Sequence, residues 1–182
     1  MNIQNSRITN EKLPEEFLFI KKALSEIDSL KISQPLVESE SSEYGDCAFV
    51  LNNLTVLFRT AKITPTKTGQ FVTLWKRINQ GSIQPFDSND AIDLFIVSTR
   101  KENHFGLFIF PKSILIAKGV VSDKKEGKRA IRVYPPWDTT TSEQAQKTQK
   151  WQLDYFLDMP KDKVIDSKRA KSLFFSENKK DL

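Results

Sequence analysis

The chain has 182 residues with 28 Lys or Arg against 23 Asp or Glu, one His, one Cys and thirteen Phe, which describes one soluble domain whose core is filled by Phe and aliphatic side chains. Cys47 alone excludes an internal disulfide, His104 and Cys47 are too few for a structural zinc site, and no run approaches the ~20 apolar residues of a bilayer-crossing helix. The opening MNIQNSRITNEKLPEE lacks the basic-then-apolar pattern of a secretory signal, so the expected location is cytoplasmic, with no membrane partner.

Residues 1–182 read as a single domain with its core at about 14–158. Pro14, Glu15 and Glu16 open a helix, because proline at the first helical position gives up only an unneeded N–H and the acids suit the positive end of the dipole. Phe17, Ile20, Leu24 and Ile27 continue it at helical spacing to about Leu30. SQPLVESESSEYGD is a polar loop. CAFVL and LTVLFRTA, separated by Asn52-Asn53, predict a β-hairpin. After ITPTKTG, the stretch GQFVTLWKRI puts Phe71, Leu74, Trp75 and Ile78 at i, i+3, i+4 and i+7, which predicts a helix beginning near Gly69 and ending in Lys76 and Arg77. DLFIVST and FGLFIFP are strands joined by RKENH. SILIAKGVV and RAIRVYP are two further strands joined by SDKKEGK. Beyond PPWD, Asp138 or one of the threonines after it is expected to cap a helix carrying QKTQKWQLDYFLDM, Thr141 and Gln144 having capping-box spacing, with Trp151, Tyr155 and Met159 along one side. Residues 160–182 read as a short helix and a frayed tail. The fold class is α/β in the mixed α+β sense, with a central mixed sheet flanked by helices.

The charge is concentrated. Cys47 to Phe86 holds five Lys or Arg and no acid, and residues 111–137 hold seven basic against two acidic side chains. Brought together, the two segments form a basic face suited to phosphates; kept apart, they are unrelated solvated surfaces. The first contributes Arg59, Lys62, Lys67 and Lys76, with Gln70, Thr64, Thr66 and Thr68 as the neutral donors that accompany lysines at phosphates. The second contributes Lys112, Lys118, Lys128, Arg129 and Arg132. Trp137 and Trp151 are able to stack on bases, or to be buried beside the prolines and on the helix; Tyr134 and Trp75 read as core. Strand alternation sends Arg59 and Ala61 to one side and Thr60 and Lys62 to the other.

No GxxxxGK[ST] or GxGxxG motif is present, and a lone His104 in a turn gives no basis for a catalytic triad. The second hairpin strand ends in Thr60-Ala61-Lys62, where many nucleases carry D/E-x-K. There, two carboxylates hold Mg²⁺ and the lysine activates water or stabilises charge at the phosphate. Thr60 stands in the place of the acid. Asp46 and Lys62 are the candidate catalytic residues, and one carboxylate is a poor Mg²⁺ site. No metal site or small-molecule cofactor is therefore assigned, and Mg²⁺ enters only if Asp46 is joined by Asp87 or Asp93.

FRTAKITPTKTGQFVTLWKR, PFD, LFIFPKSIL, KRAIRVYPPWD and TQKWQ together resemble the MepB-like proteins, a bacterial family named for its association with multidrug-export genes, over about Tyr44 to Phe156. The resemblance implies a restriction-endonuclease-like core and nucleic acid as partner, without a settled catalytic activity. The expected function is nucleic-acid binding on a nuclease-like scaffold with an incomplete D/E-x-K site and no cleavage. The alternatives are an active Mg²⁺-dependent nuclease with acids recruited from elsewhere, and a protein-interaction module whose basic face meets an acidic partner.

Overall fold

The computed structural model describes residues 13, 15–33, 36–37, 47–78 and 81–175. Pro14, Asp46, most of the Ser/Glu-rich segment and the end of the tail lie outside them. The described chain runs α1 (Glu15–Ser25), β1 (Leu36–Val37), β2 (Cys47–Leu51), β3 (Leu54–Thr60), β4 (Lys62–Thr64), β5 (Lys67–Thr73), β6 (Trp75–Arg77), β7 (Ile83–Pro85), β8 (Leu94–Lys101) and β9 (His104–Pro111). It continues with α2 (Lys112–Ala117), β10 (Ala130–Val133), α3 (Glu143–Leu153), β11 (Phe156–Asp158) and α4 (Ser167–Phe174).

A six-stranded sheet in the order β1-β2-β3-β8-β9-β11 forms the centre, antiparallel throughout except for the parallel β3–β8 pair. The β2–β3 hairpin turns on Asn52-Asn53 as expected, with Asn52 at φ 55 and its side chain bridging Lys31 and Ser29. Alternation along β3, β8 and β9 divides the core in two. Val56, Phe58, Ile96 and Leu107 point to the face covered by α1 and α4, where Phe17, Ile20, Leu24, Leu173 and Phe174 are buried. Leu57, Phe95, Val97, Phe108 and Phe110 point to the opposite face, onto Leu115 of α2 and Val72, Leu74 and Val133. Each such fully buried side chain contributes about 1.5–3 kcal/mol by transfer from water. The expected architecture, a central mixed sheet flanked by helices, is the one observed.

Three expected elements are corrected. GQFVTLWKRI is not a helix: β5 and β6 occupy it, and Gln70, Val72 and Leu74 are buried at period two while Phe71 and Ile78 are exposed. SILIAKGVV is not a strand: Lys112–Ala117 is helical after Pro111, and the chain leaves the helix at Gly119 with φ +65. The final long helix stops at Leu153, and Phe156–Asp158 instead pairs with β9. Its N-cap is Ser142, whose hydroxyl accepts from the Ala145 N–H, one residue beyond the expected Thr141. Leu36–Val37, within the expected loop, makes a short antiparallel pairing with Cys47 and Ala48.

A second sheet, β10-β5-β4, and a β6–β7 ribbon complete the fold. The three-stranded sheet turns its Gln70, Val72 and Val133 side toward the core. This arrangement joins the two basic segments: β4 and β5 come from the first and β10 from the second, paired in register Arg132↔Phe71 and Lys62↔Phe71.

Candidate nucleic-acid interface

Gln152 of α3 fixes the geometry from which the site is built. Its buried amide donates to the carbonyl of Arg132 at 2.9 Å, and its Oε1 accepts from the Tyr134 N–H at 2.9 Å, so α3 is fastened to β10. Between the two elements lies a groove of about 480 Å³ lined by Lys67, Lys118, Lys128, Arg132, Tyr134, Trp151 and, at the start of α3, Ser142, Gln144 and Ala145. Among the described residues, four cations and no Asp or Glu line it. The positive dipole end of α3 adds to the same potential. The Lys118 ammonium sits 5.3 Å from the centre of the Trp151 ring, a cation–π arrangement. The Arg132 guanidinium is held by the Thr64 hydroxyl at 2.7 Å and the Gly69 carbonyl at 3.0 Å.

Lys67 also borders a second groove of about 440 Å³, formed by Thr64, Thr66, Thr68 and Gln70 of the β4–β5 region with Lys101, Trp137 and Asp138. The threonine-rich turn is thus beside the basic groove. This second groove contains an acid, Asp138, with Lys101 at 3.4 Å, which makes it the poorer of the two for a phosphate.

Of the residues expected from sequence, Lys67, Lys118, Lys128 and Arg132 come together in the basic groove, and Lys62 is exposed on the adjoining sheet. Arg59 is only 2% exposed; its guanidinium donates to the Phe58 carbonyl and lies 5.9 Å from the Phe86 ring centre, so it is core structure, not a surface contact. Gln70 is buried and bridges the backbone of Arg100 with both ends of its amide. Lys112 donates to the carbonyls of Ser88 and Asp90. Arg129 is held by Glu126 at 3.0 Å and by the Ile83 carbonyl. Trp137 has one ring face stacked on His104, with centroids 5.2 Å apart, and meets the edge of Phe156, so that face is closed to a base.

Lys76 is bound by Asp87 and Asp90. Burial opposes its charge, but the hydrogen bonds to the two carboxylates outweigh that penalty and hold its pKa above the usual lysine value. The same contact, from the Lys76 side, holds the Asp87 carboxyl below the usual carboxylate range.

The catalytic candidates separate. Asp46 lies outside the described residues. Asp93 hydrogen-bonds the backbone of Thr55 at the start of β3, whereas Lys62 follows the end of that strand, roughly 20 Å away at ~3.3 Å per residue. Asp93 therefore does not complete a site with Lys62, and Asp87 is engaged by Lys76. Among the described residues, the acid that approaches Thr60 is Glu16 of α1: its carboxylate accepts from the Ser98 hydroxyl at 2.8 Å, and Ser98 lies 3.4 Å from the Thr60 hydroxyl. Among the described residues no three His, Cys, Asp or Glu side chains gather as a metal site. Among them, too, no helix is long and apolar enough to cross a membrane.

Residues 38–158 match the MepB-like family. The chain belongs to the MepB-like family. A crystal structure of MepB is similar to it, with 32% identity and a TM-score of 0.69 over 82% of this chain and 99% of that one. A bacterial homing endonuclease gives a TM-score of 0.39 at 17% identity, over 76% of this chain and 83% of its own, a likeness too weak to build on. No curated protein sequence matches the chain significantly.

Trp151, Tyr134 and the start of α3 are the members of the groove that sequence reasoning undervalued. The signal for the helix end was present in Ser142, a good N-cap preceding Glu143.

Proposed function

We propose that this MepB-like protein is a cytoplasmic nucleic-acid-binding protein that holds the phosphate backbone in the groove between β10 and α3, on a nuclease-like scaffold without cleavage activity. The observation that carries the reading is the convergence of Lys67 with Lys118, Lys128 and Arg132 in one groove that no acid lines among the described residues, from segments more than fifty residues apart. A polyanion gains there from four cations and a helix N-terminus, and each neutralised phosphate releases condensed counterions. Catalysis is disfavoured because Thr60 stands in the acid position, while Asp87 and Asp93 are engaged in holding the fold.

Titration of a labelled oligonucleotide at increasing salt tests this reading. Affinity is expected to fall linearly in log–log form, with a slope of several units, since each contacted phosphate contributes about 0.7 to 0.9. Binding that is absent at low salt, or flat across salt, removes the proposal. Mg²⁺- or Mn²⁺-dependent cleavage that disappears in Lys62→Ala favours the nuclease alternative instead.

A further inference from the structure

The outward side of the β10-β5-β4 sheet carries an aromatic ring between two cations. The register sets Lys62 and Arg132 directly opposite Phe71 on its two neighbouring strands, and directly opposed residues of antiparallel strands project from the same face. The inward side is taken by buried Gln70, Val72 and Val133, so Phe71 points to solvent and is 38% exposed. Two residues before it, Gly69 faces the same way, and the Tyr134 ring lies so close that a Cβ on Gly69 would come within 2.6 Å of it. Two aromatic rings and the hydrogen-bonded Arg132 guanidinium therefore share one sheet surface, continuous with the basic groove that Tyr134 and Arg132 also line.

We propose that this surface is a stacking platform for single-stranded nucleic acid, with Phe71 receiving an unpaired base and Lys62 and Arg132 meeting the phosphates on either side. An exposed ring set among cations has little to gain from a duplex, whose base faces are already stacked, whereas an unpaired base offers both a π-face and a flanking charge. An acidic protein surface would satisfy the cations, but unlike a nucleic acid it does not place a planar ring beside every negative charge. The inference rests on the nucleic-acid reading above and adds the strandedness of the ligand.

The test uses the full chain with labelled oligothymidylate and with a duplex of the same length at low salt. The single strand is expected to bind more tightly, and Phe71→Ala to weaken it about 5- to 150-fold, the range of losing one base–aromatic stack, while duplex binding is unchanged. Phe71→Trp is expected to bind like the wild type and Phe71→Leu, which keeps apolar bulk without a π-face, like Phe71→Ala. Duplex binding as tight as single-strand binding, equal losses on both ligands, or a wild-type affinity in Phe71→Leu overturns the platform while leaving the basic groove standing. Absence of any salt-dependent binding by the wild type removes both.

Discussion

The ammonium of Lys76 is seated on both carboxylate oxygens of Asp90, at 2.7 and 2.8 Å, and it donates to Asp87 as well. The side chains of Lys76 and Asp90 are 19% and 16% exposed, so the pair is closer to a buried ion pair than to a surface one. Lys112 grips the same loop through the carbonyls of Ser88 and Asp90. Removing Lys76 leaves two half-buried carboxylates facing each other. Lys76→Ala is expected to lower the unfolding free energy by about 2–4 kcal/mol, nearer the figure for breaking a buried pair than the ~0–1 kcal/mol of an exposed one. Urea denaturation measures the loss; a change below about 1 kcal/mol would show that solvent screens the cluster.

The same cluster sets a pH dependence. The Asp87 carboxyl is depressed chiefly by its hydrogen bond from Lys76. A group depressed in the folded state contributes stability that is complete above its unfolded pKa, about 3.9, and is lost as pH falls through the lower folded value. Asp87→Asn is therefore expected to destabilise at pH 7 and to converge on the wild type as the pH is lowered below ~4. Lys76, raised in the folded state, contributes below the usual lysine value and loses that contribution only in strong alkali. Urea midpoints of the two proteins between neutral pH and pH 3 read the convergence, and a gap that widens toward acid contradicts it.

Lys128 and Arg59 come from the two halves of the basic sequence and separate surface charge from core charge. Lys128 is exposed and lines the groove. Lys128→Ala is expected to reduce the salt slope of oligonucleotide binding by about 0.7 to 0.9, one phosphate's share, with stability unchanged within ~0.5 kcal/mol. Arg59→Ala is expected to do the reverse, destabilising by about 2–4 kcal/mol through lost packing on Phe86 and a buried cavity, with the slope of the remaining folded protein intact. Equal slopes for wild type and Lys128→Ala would place the phosphates elsewhere.

Much of the fold was legible because its signals are local. Asn52-Asn53 between two apolar runs specifies the hairpin, and the Phe17, Ile20, Leu24 spacing specifies α1. The misread elements share one cause, a burial pattern set by partners distant in sequence. In β5 and the residue after it the inward positions are Gln70, Val72 and Leu74; the polar Gln70 breaks the apolar alternation because its amide is satisfied by Arg100, thirty residues on. That left Phe71, Leu74, Trp75 and Ile78 to mimic a helical face. In α2 the run of Ile and Leu resembles a strand, and only Pro111 before it and Gly119 after it announce a helix. The candidate site was legible as charge and not as geometry: the segments that carry the cations were evident, but which cations reach the groove depends on Asp87, Asp90 and Glu126 drawing Lys76, Lys112 and Arg129 away from it.

Gly69 provides a last measurement, because it joins the sheet to the groove. Its φ of +82 is unfavourable for a residue with a side chain, and a Cβ would overlap the Tyr134 ring at 2.6 and 2.7 Å. Gly119 has a similar φ, +65, but open space around it. Comparison of the two alanine variants divides the conformational cost from the steric one. Gly119→Ala is expected to lose only the left-handed penalty, about 1–2 kcal/mol. Gly69→Ala is expected to lose about 1–3 kcal/mol more from overpacking, and to weaken oligonucleotide binding because the displaced Tyr134 is part of the groove wall. Chemical denaturation and the same binding titration read both effects. If the two variants are equally destabilised, Tyr134 yields freely and the ring contributes no rigidity to the groove.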